Sequence, residues 1–340
     1  MEIVRNRETR KIFMSQSLYI SDMLQRYGMM DCKPSRTPMS TDFSKSLTEQ
    51  ELEKIEDGTP HREAIGSLLY ASISTRPDIA TAVGILAQYV SNPKKQHWMG
   101  VKRVFRYLQG TKEYGLVLDG SQGVVLNGFV DSDWASDIDT RKSRTGYIFR
   151  LGNGTITWNT KKQTTVATSS TDAEYMAAYA GVAESLWICQ LLEELQFIVP
   201  KQITLMEDNS ECIATTENPV NSSRLKHIDI KYHFVREQVQ KGVIKFIYCP
   251  SRDMIADIMT KPLNEELFKK HRTAMGIKTI DSIMQDRVLN GNDEICLNES
   301  NGDASVDDTM DKLRVDMEVN NGDTQSIVDD EIYYLNHYIR

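Results

Sequence analysis

The sequence predicts a mixed α/β fold, a mixed sheet packed with helices and preceded by a small all-helical segment. Three observations carry this expectation. The apolar period changes from helical to alternating after Gly123. One long stretch, Thr171 to Leu195, repeats Tyr175, Ala178, Val182, Leu186, Cys189 and Leu192 at three- and four-residue steps, as a buried helix face does. Beyond it, short strand-like runs alternate with helical ones as far as Lys261.

Residues 1–59 read as the closing end of a preceding domain, followed by a linker. Ile12-Phe13-Met14 is a short strand-like apolar run with no obvious partner strand nearby. Tyr19 to Gly28 reads as a short amphipathic helix ending at a C-cap glycine. The following Cys32-Lys33-Pro34-Ser35-Arg36-Thr37-Pro38 has two prolines among small polar residues, the composition of an extended linker. Residues 60–113 form the helical segment. Ile65, Leu68, Leu69, Ala71 and Ile73 give one apolar face, broken at Arg76-Pro77 because proline disfavours a helical residue before it. Ile79 to Val90 gives a second helix and Trp98 to Leu108 a third, bearing Lys102, Arg103 and Arg106. A segment of about 50 residues is small for an independent core.

The sheet occupies residues 123–277. Val124 to Val130, Thr145 to Arg150 and Thr155 to Trp158 read as strands bounded by Gly or Asn. After the long helix come a strand (Ile203 to Met206), a short helix (Ser210 to Thr216) and a helix with a basic face (Ile228 to Gln240). Another strand (Val243 to Tyr248) leads to a last helix after Pro250. Residues 286–340 lack periodicity and are rich in Asp, Asn, Ser and Gly, which predicts a disordered acidic tail.

Composition narrows the classes. With 340 residues, 40% hydrophobic and 26% charged, the chain has material for about two domains of roughly 150 residues. No apolar run approaches the ~18 residues of a membrane span, and the first eight residues lack the apolar core of a secretory signal. The expectation is an intracellular, cytoplasmic protein, neither secreted nor membrane-bound. Five dispersed cysteines without a Cys-x-x-Cys pair argue against a disulfide framework or a structural zinc site. The net charge of −8 is uneven: residues 286–340 hold 14 acids and 4 bases, leaving the rest at +2. The acidity therefore does not exclude a nucleic-acid partner for the folded part.

Four acids sit where a purely structural role is awkward. Asp131 falls at the end of the first strand of the sheet, although Asp133 points the same way by the two-residue period. Glu174 lies in the first turn of the long helix, where Thr171-x-x-Glu174 also matches a capping box with Thr171 as N-cap. Asp208 ends the fourth strand and opens a helix, a plausible N-cap position. Asp257 stands among apolar neighbours in the last helix. Strand ends and helix starts of this order can meet on one rim of a mixed sheet. Converging carboxylates repel unless divalent cations neutralise them, and oxygen ligands suit Mg²⁺ or Mn²⁺. Two such ions about 3.5–4 Å apart activate water and stabilise the leaving oxygen in phosphodiester hydrolysis.

Several motifs extend this reading. They are Val130-Asp131-Ser132-Asp133-Trp134-Ala135, Arg141 to Tyr147, Ser169 to Tyr175, Asp208-Asn209, Lys226 to Glu237, and Ala256 to Pro262. Together they closely resemble the ribonuclease H domain of copia-type retrotransposon Pol polyproteins. Gly66-Ser67-Leu68-Leu69-Tyr70 and Thr75-Arg76-Pro77-Asp78-Ile79 resemble the segment that joins reverse transcriptase to ribonuclease H there. The resemblance covers about the first 277 residues. It implies a carboxy-terminal Pol fragment, with residues 1–59 as the remnant of the reverse transcriptase end and no Tyr/Phe-x-Asp-Asp polymerase motif.

The resemblance further implies a ribonuclease H-like fold, and an endoribonuclease that cuts the RNA strand of RNA–DNA hybrids with two Mg²⁺ (or Mn²⁺) ions, leaving 3′-hydroxyl and 5′-phosphate ends. Asp131, Glu174, Asp208 and Asp257 match the family's catalytic, metal-holding acids. Asp131 would bridge both ions, and the resemblance prefers it to Asp133. Its implied partners are the hybrid and the upstream reverse transcriptase, within the cytoplasm or virus-like particles. Cellular type I enzymes carry a histidine before the last acid, whereas Cys249-Pro250-Ser251-Arg252-Asp253 has none, which bears on turnover.

Hybrids are read through shape, phosphates and 2′-hydroxyls, for which Lys142, Arg144, Lys161, Lys162, Lys226, Lys231, Arg236 and Arg252 are candidates. Trp134 and Trp158 read as packing residues. An integrase shares the fold but ends its acids on a glutamate, and the order Asp, Glu, Asp, Asp disfavours it. The alternative of another class is a catalytically silent or host-retained fragment that binds nucleic acid or a protein partner.

Overall fold

Two sheets organise the chain, whose computed structural model describes residues 1–43, 53–217 and 229–281. The tail read at 286–340 and the candidate Lys226 lie outside the described residues. All described residues belong to one compact unit.

The first sheet is antiparallel and has the order β1-β2-β3-β9. Its strands are β1 (Glu2–Asn6), β2 (Lys11–Ser15), β3 (Tyr114–Asp119) and β9 (Ile277–Thr279). This corrects the reading of Ile12-Phe13-Met14. The run is a strand paired on both sides, Ile12 with Arg5 of β1 and with Leu118 of β3. Its second partner lies far along the chain, and a five-residue strand carries no local mark of a distant neighbour. β3 and β9 were not read as strands for the same reason.

The second sheet has the order β6-β5-β4-β7-β8, built from β4 (Leu126–Asp133), β5 (Arg144–Leu151), β6 (Gly154–Lys162), β7 (Ile203–Glu207) and β8 (Ile244–Tyr248). β4, β5 and β6 form an antiparallel meander, and β7 and β8 add in parallel. This mixed sheet is the ribonuclease H-like arrangement expected from the motifs.

Helices follow the expected order: α1 (Ser17–Arg26), α2 (His61–Ser74), α3 (Ala80–Leu86), α4 (Lys95–Gln109), α5 (Ser170–Glu194), α6 (Ser210–Glu217), α7 (Asp229–Gln240), α8 (Asp257–Thr260) and α9 (Glu265–Ala274). No helix among the described residues is long and apolar enough to cross a membrane. Gly28, at φ +64°, takes the left-handed conformation after α1 that favours glycine. The long α5 lies close on β4. At Gly181 a Cβ would collide with Val130 Cγ1, so glycine there sets how near the helix approaches the strand.

The break at Arg76-Pro77 is more than a helix stop. Arg76 is fully buried and donates through Nε and Nη2 to the two Asp78 oxygens at 2.9 and 2.8 Å, and through Nη1 to Thr111 O at 2.9 Å. Tyr107 OH donates to Asp78 Oδ2 at 2.5 Å. The helical segment also leans on the second sheet. Trp158 Nε1 donates to Ser72 O at 3.1 Å, and Thr81 Oγ1 to Ile258 O at 2.6 Å.

Candidate metal centre

β4 runs on to Asp133, so Asp131 lies inside the strand rather than at its end, opposite Gly146 of β5. A Cβ on Gly146 would stand 2.6 Å from Met259 Cβ and 2.7 Å from Thr260 Cγ2. Its absence lets α8 rest directly on β5. Thr260 Oγ1 then donates to Asp131 Oδ2, and Asp257 enters from the first turn of the same helix. Asp131 is 1% and Asp257 4% exposed. Asp133 is engaged elsewhere, its Oδ1 accepting from Arg144 N at 2.8 Å.

Glu174 is freed from the capping role the sequence suggested. The N-cap of α5 is Ser169, whose Oγ accepts from Asp172 N at 3.1 Å. Thr171 instead donates through Oγ1 to Glu211 Oε2 at 3.0 Å. The serine is two residues earlier and satisfies the helix N–H groups first, leaving Glu174 one turn in, facing the sheet. Glu174 is 7% exposed and its Oε2 is buried without a hydrogen-bond partner.

Asp208 likewise does not cap α6. Asn209 does, through Oδ1 accepting from Cys212 N at 2.9 Å, while Asp208 Oδ2 accepts from Ser251 Oγ at 2.6 Å.

Sequence reasoning missed a fifth acid, Glu207, the last residue of β7 and 0% exposed. Its Oε1 accepts from Asn209 N at 3.0 Å and its Oε2 is buried without a partner. The signal was available. Ile203, Leu205 and Glu207 share the buried face of the strand, so an acid stands in phase with apolar residues.

The five acids form two groups. Asp131, Asp208 and Asp257 place ligand oxygens within 4.8 Å of one another, and Glu174, Glu207 and Asp208 do the same. The common member is Asp208, where the sequence reading gave the bridging place to Asp131. Burial pushes the Asp131 carboxyl up to about 7, against the pull of the Lys261 ammonium and with the repulsion of Asp257. Burial raises Glu174 well above its ordinary value, and Asp131 and Glu207 add to it. Burial raises Glu207 too, partly offset by the Asn209 N–H. The Oε2 atoms of Glu174 and Glu207, buried without hydrogen-bond partners in an all-oxygen donor set, fit hard divalent cations such as Mg²⁺ or Mn²⁺.

Among the described residues, Lys261 is a cation that stands in this field. Lys261 Nζ lies 2.8 Å from Asp257 Oδ1. Burial opposes its charge, yet Asp131 and Asp257 hold it above the ordinary lysine value. A histidine also feels Asp257, from α9 rather than from the loop. His271 is buried, which lowers its pKa against that pull.

The candidate phosphate ligands are dispersed. Arg144 is buried, donating through Nη1 to Thr160 Oγ1 at 3.2 Å. With the half-buried Lys142 it lines a cavity of about 90 Å³ beside Tyr89 and His97. Lys161 is exposed, and Lys162 pairs with Asp137 at 3.0 Å. Lys231 lies 5.2 Å from the Tyr179 ring centroid. Arg236 is half-buried, and Arg252 is exposed. Trp158 is buried as read, whereas Trp134 is 56% exposed, its indole N–H reaching Ala167 O at 3.4 Å, because β4 ends just before it.

The strand order and the acidic groups it carries make this a ribonuclease H-like protein. No protein-family model matches the chain. It is 38% identical over 283 residues to the retrovirus-related Pol polyprotein of transposon TNT 1-94 from Nicotiana tabacum, which is 82% of this chain and 21% of that protein. It is 39% identical over 275 residues to the polyprotein of transposon RE2 from Arabidopsis thaliana, 81% of this chain and 19% of that protein. Its close homologues are the retrovirus-related Pol polyproteins of plant copia-type transposons. It spans about a fifth of the length of these relatives.

Among solved structures, the amino-terminal RNase H domain of a Mycobacterium tuberculosis protein covers 45% of the chain and 99% of that domain, at 10% identity and a TM-score of 0.31. LC11-RNase H1, solved in complex with an RNA/DNA hybrid, covers 40% of the chain and 93% of its own, at 14% identity and a TM-score of 0.30.

Proposed function

We propose that the chain is an endoribonuclease of the ribonuclease H type, hydrolysing the RNA strand of RNA–DNA hybrids during reverse transcription of a transposon. The observation that carries this reading is the convergence of Asp131, Glu174, Asp208 and Asp257, joined by Glu207, in two groups that share Asp208. Asp131, Asp208 and Asp257 would hold one divalent ion, and Glu174, Glu207 and Asp208 a second. Mg²⁺ or Mn²⁺ bound there would supply water activation and stabilisation of the leaving 3′-oxygen.

The chain's own residues fix the carboxylates. Thr260 orients Asp131, Ser251 orients Asp208, and the Asn209 N–H holds Glu207. The products would carry 3′-hydroxyl and 5′-phosphate ends. Lys142, Lys231, Arg236 and Arg252, with Lys226 outside the described residues, are the phosphate ligands this reading retains. Arg144 is the weakest of the set because it is buried. The upstream reverse transcriptase would present the hybrid, in the cytoplasm or within virus-like particles.

Incubating the full chain with an end-labelled hybrid and Mg²⁺ tests the proposal. Cleavage of the RNA strand is expected, reduced at least about 10²–10³-fold in Asp131→Asn, the scale on which a key charge-stabilising group acts. No cleavage, or cleavage unchanged in Asp131→Asn, would overturn the enzyme reading and favour a silent fragment that only binds.

A further inference from the structure

We propose that Lys261 is a tethered counter-ion of the Asp131–Asp208–Asp257 group, which divalent cations must displace and which reclaims the carboxylates when they leave. The inference rests on the cation-binding reading above and adds to it a residue that competes for the site.

The geometry sets a conflict between charges. Lys261 Nζ stands 2.8 Å from Asp257 Oδ1, in a group whose ligand oxygens all lie within 4.8 Å of one another. Asp131 and Asp208 act on the ammonium as well. A divalent ion on these carboxylates would sit within about 5 Å of that ammonium, where like charges repel by several kcal/mol even at an effective dielectric of about 20. The ammonium and the ion therefore compete for the same carboxylates.

The local structure explains how Lys261 can give way. Asp257 opens α8 and Lys261 directly follows its last residue, so the i, i+4 spacing aims the ammonium at the carboxylate. The lysine backbone is already extended (φ −142°, ψ 151°) and its side chain is 41% exposed. The ammonium therefore has an open path to water. The contrast is Arg76, a buried cation fully enclosed by Asp78 and Thr111 that can leave only if the fold opens. Lys261 thus keeps the carboxylates assembled between binding events and makes cation release easier.

The test uses the full chain and Mn²⁺ alone as probe, with free Mn²⁺ read by electron paramagnetic resonance. Lys261→Met is expected to bind Mn²⁺ about tenfold more tightly or better, since a repelling charge a few ångströms away is removed. In EDTA it should unfold at lower urea than wild type. Lys261→Arg, which keeps the charge, should stay near wild type in both measurements. If Lys261→Met does not fold, Lys261→Gln replaces it with the same expected direction. Damage to the fold would weaken Mn²⁺ binding rather than tighten it, so the direction separates the two causes. Unchanged or weaker binding in the neutral variant, with wild type binding normally, overturns the counter-ion role alone. No Mn²⁺ binding by wild type or variant overturns the cation-binding reading, and this inference with it.

Discussion

Burial pushes the Asp131 carboxyl up to about 7, so without divalent cations the folded chain binds a proton there that the unfolded chain releases near the ordinary carboxylate value of about 4. The sign follows from linkage. Between those values the folded state holds more protons than the unfolded state, so stability falls as pH rises, and the fall ends above about 7. Glu174 and Glu207 are raised as well and act in the same direction. Urea denaturation in EDTA should therefore show a loss of at least about 2–3 kcal/mol between pH 5 and 8. Asp131→Asn should flatten that slope, and a slope unaffected by the substitution would refute the burial argument. At this scale much of the acidic cluster is legible: the four acids that positions and motifs single out come together in the fold. Glu207 is masked by its neighbour Asp208, a second acid at the same strand end, although Glu207 shares the phase of Ile203 and Leu205. The serine cap was hidden by a better-looking capping box at Thr171 and Glu174, two residues on.

The elements bring those residues together by close approach, and glycine marks where. α5 carries Glu174 and β4 carries Asp131, and the helix meets the strand where Gly181 faces Val130. Gly181→Ala should destabilise the protein by about 1–3 kcal/mol through overpacking, despite alanine's higher helix propensity. Because the obstacle is the flexible end of one side chain, adding Val130→Ala should restore part of the loss, and thermal unfolding of the pair against the single variants measures it. If Gly181→Ala alone raises the melting temperature, the close-approach argument fails. Helices and strands of 123–277 are readable because their period is local. β3 and β9, and the pairing of the strand-like run of β2 with β3, are not, because these pairings are set between distant parts of the chain.

At the scale of the whole molecule, the helical segment, the two sheets and the last helix are joined through buried polar groups. Arg76 reaches Thr111 just before β3, and Tyr107 of α4 accepts from Arg272 Nη1 of α9 at 3.4 Å. Asp78→Ala leaves the Arg76 guanidinium buried without its counter-charge, which should cost about 3–5 kcal/mol. Since the network spans the unit, the loss should shift one cooperative transition rather than release residues 60–113 first. With Trp98, Trp134 and Trp187 replaced by Phe, fluorescence of the buried Trp158 and far-UV circular dichroism would then report the same midpoint, and separate midpoints would show that the segments unfold independently. The first sheet adds a kinetic consequence. β3 is complete once residue 119 has been made, but its outer neighbour β9 is added only at residues 277–279. At about 5–20 residues per second, a ribosome leaves that edge of β3 unpaired for roughly ten to thirty seconds. During that interval the nascent chain presents an open strand edge to chaperones and to its neighbours on the same message.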